Sequence, residues 1–471
     1  MTPRACASGL PGSPDTGYRS GEAEGRVGAA IGRRNLHGGV AAGRAERGEG
    51  VGSAMRQGLT VAEAQAAILE ETPRLGAETI SASDAAGRVL AEAVISARRH
   101  PPADCSAMDG YAVRREDLVG ASAEAPRTLP VAYEVPAGGQ AARPLEAGEA
   151  ARIFTGAPIP PGADAVVMQE DTDQGAESVE IRTEPSVRAN VRDGGEDFEV
   201  GDRLIDEGAV LGAAHLGVLA SLGRTIVSVH QRPRVAILSG GDELVEPDRP
   251  ADGGRIVSSN SYTLAAQCRE IGAEPIYLGI AEDTPEAIES RMRAGLGADV
   301  LVSSAGVSVG DHDHVRDVLE KVGCRLRFWG VKMKPGFPLA FGVIEPTGQL
   351  VFGLPGNPVS TAVTFEEFVR PALRKMMGHR AIHRPVVRAT LTDDYRKKAG
   401  RLHFVRVTLE RSGDGVLAHL TGNQSSGVLT SMIRGQGLAV VPLESDGVVA
   451  GTEVDVQILD ATFFDRDERG F

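Results

Sequence analysis

The chain has 471 residues, 42% hydrophobic and 24% charged, with a formal net charge of −14 at pH 7. This length suggests about three domains, the composition is that of a folded globular protein, and the negative balance argues against nucleic acid as the main partner. The four cysteines, Cys6, Cys105, Cys268 and Cys324, have no C-x-x-C spacing, and no apolar run approaches the ~18 residues of a membrane span, so a reduced, cytoplasmic protein is expected.

Residues 1–54 are Gly, Ala, Arg, Ser and Glu without period and are expected to be disordered, because they cannot bury a core. A transit peptide is one reading of the arginines. Glu22, Glu24, Glu46 and Glu49 interrupt them, however, and a start upstream of the true one, at Met55, is the plainer explanation. A chain beginning at Met55 is therefore expected to keep its melting temperature and activity; a clear fall would show that the tail docks.

Thr60-Val-Ala-Glu63 has the form of a capping box, and Val61, Ala64, Ile68 and Leu69 give the following helix an apolar face. A second helical stretch is expected around Ala85–Leu90. From His100 short β-like runs alternate with Gly and Pro turns at Ala151–Phe154, Ala165–Gln169 and Ser178–Arg182. Three polar clusters stand among them: Asp104 to Tyr111, Thr155-Gly-Ala-Pro, and Gly195-Glu-Asp197. Phe198–Ile205 and an apolar helix at Ala213–Leu222 lead back to the first region. Residues 55–99 and 199–231 are accordingly expected to form a discontinuous first domain, with 100–198 as an inserted β-rich domain.

Over 232–379 the pattern is strand, loop, helix, repeated. Val235–Leu238 ends in Ser-Gly-Gly-Asp242-Glu243, and Ile276–Ile280 ends in Ala-Glu-Asp283. Val300–Val302 leads into Ser303-Ser-Ala-Gly-Val-Ser308-Val-Gly310-Asp311-His-Asp313, and Leu350–Phe352 into Gly-Leu-Pro355-Gly-Asn-Pro358. Alternation of this kind predicts a central doubly wound parallel sheet, with ligands beyond the carboxyl ends of its strands. All four loops lie at that edge. From Pro385 the period returns to two, which predicts a small C-terminal β-barrel over 380–462. The expected fold class is α/β plus β, multidomain.

Asp242, Glu243, Asp283, Asp311 and Asp313 would repel one another without a partner, and magnesium, an oxygen-seeking ion that commonly bridges to phosphate, resolves this. Opposite them Val331-Lys332-Met-Lys334-Pro-Gly336 reads as an oxyanion clamp, with one lysine expected to face the sheet side of the pleat. A helix N-terminus contributes ~0.3–1 kcal/mol to holding an anion, whereas a unit charge pair at about 4 Å is worth ~4 kcal/mol at an effective dielectric of 20. A multiply charged substrate therefore needs the lysines and the metal. His312 and His314 flank Asp313, but no third nitrogen or sulfur ligand stands at metal spacing.

Six motifs in order, Ser106-Ala-Met-Asp-Gly-Tyr111, Thr155-Gly-Ala-Pro158, Ser239–Leu244, Gly306-Val-Ser-Val-Gly310, Met333-Lys-Pro-Gly336 and Leu354-Pro-Gly-Asn-Pro-Val-Ser360, resemble the molybdopterin molybdenumtransferase (MoeA) family, which includes the E domain of gephyrin. The resemblance covers about Thr60 to Leu459. It implies insertion of molybdate into adenylylated molybdopterin with Mg2+ and release of AMP. A homodimer with active sites shared between subunits is implied as well, with the adenylyltransferase of the same pathway as a partner. Carried over by motif, the acids on the metal and nucleotide side are Glu243, Asp283 and Asp313, and the inserted domain contributes Asp109, Thr155 and Asp197. Ser308, Gly310, Pro355 and Pro358 shape the substrate loops, and Lys332, Lys334, Arg401 and Ser426 form the molybdate clamp. Three positions depart from the family pattern: Ala305 where many members have a second glycine, Gly241 where Thr is common, and Phe337 where some members carry another lysine. Phe337 removes a possible cation, so the resemblance implies a clamp that is weaker or that rests more on Lys332 and Arg401. A pterin adenylyltransferase or nucleotide pyrophosphatase would share the α/β region but not need Met108-Asp109-Gly110. A non-catalytic dimeric scaffold is the reading that loss of the acids would favour, and the acids are present.

Overall fold

The computed structural model describes residues 56–304, 314–413 and 415–465. The N-terminal segment 1–54 and the loop residues Ser308, Gly310, Asp311, His312 and Asp313 lie outside the described residues.

Four strands predicted from their apolar runs form the heart of one sheet. Gln349–Gly353, Val300–Ser303, Arg234–Gly240 and Glu274–Ala281 lie side by side in that order, all parallel. Beyond Gln349–Gly353 the sheet continues through Ala340–Ile344 and Cys324–Val331 to Arg56–Leu59 at the edge. Ala340–Ile344 runs antiparallel to both neighbours, because the turn Glu345-Pro-Thr-Gly348, with Gly348 at φ +73°, returns the chain as a hairpin.

Helices cover both faces. Val61–Glu71, Asn260–Glu270 and the helical segments Pro358–Thr364, Phe365–Val369 and Arg370–Met376 bury Ile68, Leu264, Val363 and Phe368 against one side. Pro285–Ala294 and His314–Lys321 bury Ile288, Met292, Val318 and Leu319 against the other. The capping box forms as expected: Thr60 Oγ1 accepts from the Glu63 N–H at 3.3 Å, and the Glu63 carboxylate accepts from the Thr60 N–H at 2.8 Å. Phe365–Val369 is a π-helical turn whose Glu366 and Glu367 are buried. Glu366 accepts from Gln267 Nε2 at 2.8 Å and Arg384 Nε at 2.9 Å, and Gln457 Nε2 of the last barrel strand donates to Glu367 at 3.3 Å. This polar knot fixes the barrel against the helix that follows the Leu354–Ser360 loop.

The helix expected around Ala85–Leu90 is absent. Ala82–Asp84 makes one 3-10 turn, and Gly87 at φ +76° takes a left-handed conformation that ends any helix there. Val89 and Leu90 instead bridge to Val210 and Val229. Leu90 joins the core of Val94, Phe198, Leu211, Leu219 and Val229, with Ala213–Ser221 as its helix.

Residues 100–198 carry a five-stranded sheet in the order Ala165–Met168, Gly110–Val113, Ala150–Ile153, Arg127–Val135, Ser178–Ile181. Gly110 is required by packing: a Cβ there would sit 1.9 Å from the Val167 carbonyl oxygen. Gly110→Ala is expected to cost about 1–3 kcal/mol through forced backbone shift, read as a lowered midpoint in thermal denaturation; an unchanged midpoint would contradict the packing.

Near the C-terminus, Val386–Leu391, Leu402–Ser412, Gly415–Leu420, Gly437–Val441 and Glu453–Ile458 close into a five-stranded barrel, since Leu402–Ser412 pairs with both Gly415–Leu420 and Gly437–Val441. Met333–Lys334 pairs in parallel with Leu402 and His403, which brings the lysine turn to the barrel. No helix among the described residues is long and apolar enough to cross a membrane.

Candidate active site

The turn after Cys324–Val331 supplies the cations. The Lys332 N–H donates to the Leu59 carbonyl at 2.7 Å, and the Leu402 N–H donates to the Lys332 carbonyl at 2.9 Å. The segment is therefore stitched to the edge strand on one side and the barrel on the other. Residues two apart share a face of an extended chain, so the expectation that one lysine turns to the sheet side is corrected. Lys332 and Lys334 are both exposed, and Met333 is the residue turned inward.

His403, paired in register with Lys334, is 5% exposed and shares a 2.9 Å hydrogen bond between its Nδ1 and the Tyr395 hydroxyl. Burial first, then Lys334, Lys397 and Arg401, push its imidazole down to about 4. The ring is neutral at pH 7, so the positive charge around it rests on the lysine and arginine side chains and not on the imidazole. Lys397 Nζ donates to the Arg401 carbonyl at 2.9 Å, and the Arg401 guanidinium lies over the Phe337 ring, 4.5 Å from its centroid. Lys334, Lys397 and Arg401 thus form an electropositive basin suited to a compact oxyanion, and Lys332 stands on the same exposed face of the turn, where it also acts on Glu63.

A folded-state value below the ordinary one means that the unfolded chain takes up the proton first. The His403 contribution to stability is therefore present above the unfolded value, near 6.5, and is lost as pH falls towards 4. His403→Gln is expected to lose less stability than wild type between those limits, measured by denaturant midpoints across pH. Parallel pH profiles would contradict the assignment.

The Leu354–Ser360 loop leaves the carboxyl end of Gln349–Gly353 in the central sheet. Leu354 N–H donates to the Ser303 carbonyl at 2.7 Å, and Asn260 Nδ2 donates to the Gly356 carbonyl at 2.8 Å. The Thr361 hydroxyl donates to the carbonyl of Pro355, and Pro358 opens the helix at its first position, where its missing N–H costs nothing. The Ser426 carbonyl accepts from the Val359 N–H at 3.0 Å, so the barrel loop bearing Ser426 seats on that helix start. Arg406, 1% exposed, holds the loop from beneath: Nε donates to Ser431 Oγ at 3.1 Å and a terminal nitrogen to the Ser425 carbonyl at 3.1 Å. Sequence reading missed Arg406, because an arginine in a strand pattern reads as surface. It also missed the buried hydroxyls of Ser239, Ser258, Ser261 and Ser304, linked at 3.3–3.4 Å beneath the strand ends.

The acids stand at neighbouring strand ends. Gly240 pairs with Ala281, so Asp242 and Glu243 adjoin Asp283, and Asp242 Oδ1 accepts from the Asp283 N–H at 3.0 Å. Gly241, at φ +136°, has no room for a Cβ: one would lie 2.5 Å from the Glu243 carboxylate. The glycine found where Thr is common lets Glu243 fold back. Exposed carboxylate oxygens from two loops match what magnesium accepts, since it keeps several waters and needs few protein ligands. Among the described residues no three His, Cys, Asp or Glu side chains are gathered for a metal; Asp313 is outside them.

On the inserted sheet the structure unites two predicted residues. Asp109 Oδ1 accepts from both the Thr155 N–H and the Thr155 hydroxyl at 2.8 Å, which hold its carboxyl below the usual range. Arg152 sits between the rings of Tyr111 and Phe154, 5.0 Å from each, and steadies the strand beneath. Asp197 lies elsewhere, at the stalk where the chain leaves the insertion; its N–H donates to the His100 carbonyl at 3.0 Å, and the next residue, Phe198, stacks on His100 at 5.5 Å. No hydrogen bond or ion pair among the described residues joins 100–198 to the central sheet or the barrel.

These three regions match, in chain order, the MoeA N-terminal region (domain I and II) over residues 59–223, the probable molybdopterin binding domain over 236–375, and the MoeA C-terminal region (domain IV) over 388–459. The sheet that carries the acids and the Lys332–Lys334 turn thus falls within the region matched to the probable molybdopterin binding domain. A molybdopterin molybdenumtransferase of Nostoc sp. is 42% identical over 378 residues, 78% of this chain and 85% of the relative. One from Haemophilus influenzae is 36% identical over 404 residues, 85% of this chain and 98% of the relative. The crystal structure of a molybdopterin biosynthesis moeA protein from Pyrococcus horikoshii OT3 superposes with a TM-score of 0.73 at 30% identity, covering 85% of this chain and 100% of that one. The chain belongs to the molybdopterin molybdenumtransferase family, whose curated members are transferases.

Proposed function

We propose that this protein inserts molybdate into adenylylated molybdopterin and releases AMP. The observation that carries the reading is the cluster of Lys334, Lys397 and Arg401 around a neutral, buried His403, with Lys332 on the same face of the turn. A tetrahedral dianion gains from each exposed cation there, and the uncharged imidazole adds no competing titration. Lys332, Lys334, Arg401 and Ser426 bind molybdate; Pro355 and Pro358 shape the pterin loop, and Ser308 and Gly310 join them in substrate binding. Glu243, Asp283 and Asp313 would hold Mg2+, which supplies neutralisation of the phosphate bridge when bound. Asp109 and Thr155 act as one unit, the threonine keeping the carboxylate ionised and aimed, and Asp197 completes the set from the stalk.

The protein acts as a homodimer in this account. Met108, 44% exposed, stands beside Asp109, and Ile256, Val257, Tyr262, Ile276 and Tyr277 are each more than 40% exposed along the sheet edge next to the acids. Exposed apolar side chains of this kind form surfaces that association covers. Purified protein with adenylylated molybdopterin, Mg2+ and molybdate is expected to release AMP, and omission of molybdate or Mg2+ to stop it. AMP release that ignores molybdate would sink the proposal.

A further inference from the structure

Phe337 stands where a lysine would have enlarged the cation basin, and the structure gives its ring a defined seat. Its carbonyl accepts from the Val331 and Leu339 N–H groups, each at 2.9 Å. The ring lies against Gly330, where a Cβ would come within 3.4 Å of it, and that glycine is at φ +79°. Trp329 meets the ring edge-on at 5.6 Å with an interplanar angle of 85°. The Arg401 guanidinium sits 4.5 Å from the ring centroid.

Arg401 is an exposed side chain on a barrel loop that follows Gly400 at φ +103°. Left alone it would sample many rotamers, and ordering a long cation on anion binding is unfavourable. It has two handles, Lys397 Nζ on its carbonyl and Phe337 beneath its guanidinium. A planar, weakly hydrated guanidinium stacks on an aromatic face while its edge N–H groups stay open to an anion. A lysine at 337 would add a charge yet repel Arg401, as well as Lys332 and Lys334 nearby in the chain.

We propose that Phe337 is a positioning residue for molybdate: it preorganises the Arg401 guanidinium in the basin, replacing an added charge by a fixed one. The inference rests on the molybdate-binding reading of the basin. Phe337 touches no substrate, so its effect belongs in molybdate affinity and not in the chemical step.

The test uses the full chain and Phe337→Leu, Phe337→Tyr and Phe337→Lys, with molybdate as the probe. Two readouts are taken: molybdate retained at equilibrium dialysis, and the molybdate KM and kcat of AMP release. Phe337→Leu, which keeps apolar bulk but loses the ring face, is expected to raise Kd and KM about three- to tenfold with kcat nearly unchanged. Phe337→Tyr is expected to restore wild-type values, and Phe337→Lys to weaken binding despite its added charge. Melting curves accompany each variant, and should Phe337→Leu fail to fold, the Tyr and Lys pair decides. The proposal is overturned if Phe337→Leu leaves Kd unchanged, if it lowers kcat alone, or if Phe337→Lys binds molybdate more tightly than wild type. A wild-type protein that binds molybdate but releases no AMP would overturn the proposed function instead, while the dialysis still decides the role of Phe337.

Discussion

Mixing Asp109→Ala protein with Glu243→Ala protein, each inactive alone, is expected to restore activity to about one quarter of wild type under subunit exchange. Asp109 and Thr155 form one polar unit on the inserted sheet. Glu243 belongs to the acids at the edge of the central sheet, beside Asp242 and Asp283. A two-fold dimer contacts itself reciprocally, so an insertion that closes its partner's cleft does so twice. In the mixed dimer one site then carries both lesions and the other carries neither. At random pairing about half the dimers are mixed, each with one sound site, which gives the one quarter. Continued inactivity after proven exchange would place Asp109 and Glu243 in the same subunit's site, or in separate ones.

The second large effect concerns the clamp. Lys334→Ala is expected to raise the molybdate concentration for half-maximal activity about 10- to 100-fold, with adenylylated molybdopterin binding nearly unchanged. A charge pair at about 4 Å and an effective dielectric of 20 would give ~4 kcal/mol, or about a thousandfold. Lys334 is exposed, so solvent and salt screening lower that figure. The complementary variant, Glu243→Gln, is expected to weaken the Mg2+ dependence and leave the molybdate requirement in place. Equal defects of both variants in molybdate affinity would show that cations and acids do not divide the work.

The parts legible in the sequence were those in which a local pattern and its chemistry coincide. Apolar runs ending in Gly-Gly-Asp-Glu or Gly-Leu-Pro-Gly-Asn-Pro announce strand ends with loops that carry function, and four such runs became the parallel heart of the sheet. Thr60 and Glu63 announced a helix start from four residues. Contacts distant in sequence were not legible. Arg56–Leu59 joins the sheet only because Cys324–Val331 offers an edge, and no local pattern encodes that pairing. Ala85–Leu90 has helical composition, but its neighbours Val210 and Val229 draw it into bridges, and tertiary pairing overrides propensity. Lys332 and Lys334 share the exposed face, because two-residue spacing in an extended chain keeps them together and turns Met333 inward. Arg406 was invisible because burial of a cation is decided by the loop that accepts its hydrogen bonds. The cation basin was half legible: the lysines stood out, but the stack of Arg401 on Phe337 joins residues 64 positions apart.

The most direct measurement of the central claim is the stoichiometry of metal to nucleotide. Wild-type protein is supplied with adenylylated molybdopterin, Mg2+ and molybdate; AMP released and molybdenum incorporated into the pterin are quantified in the same sample. Equal amounts of the two are expected, with both falling together in Lys334→Ala at limiting molybdate. AMP released in full with no molybdenum incorporated would contradict it and make the protein a hydrolase of the nucleotide bond.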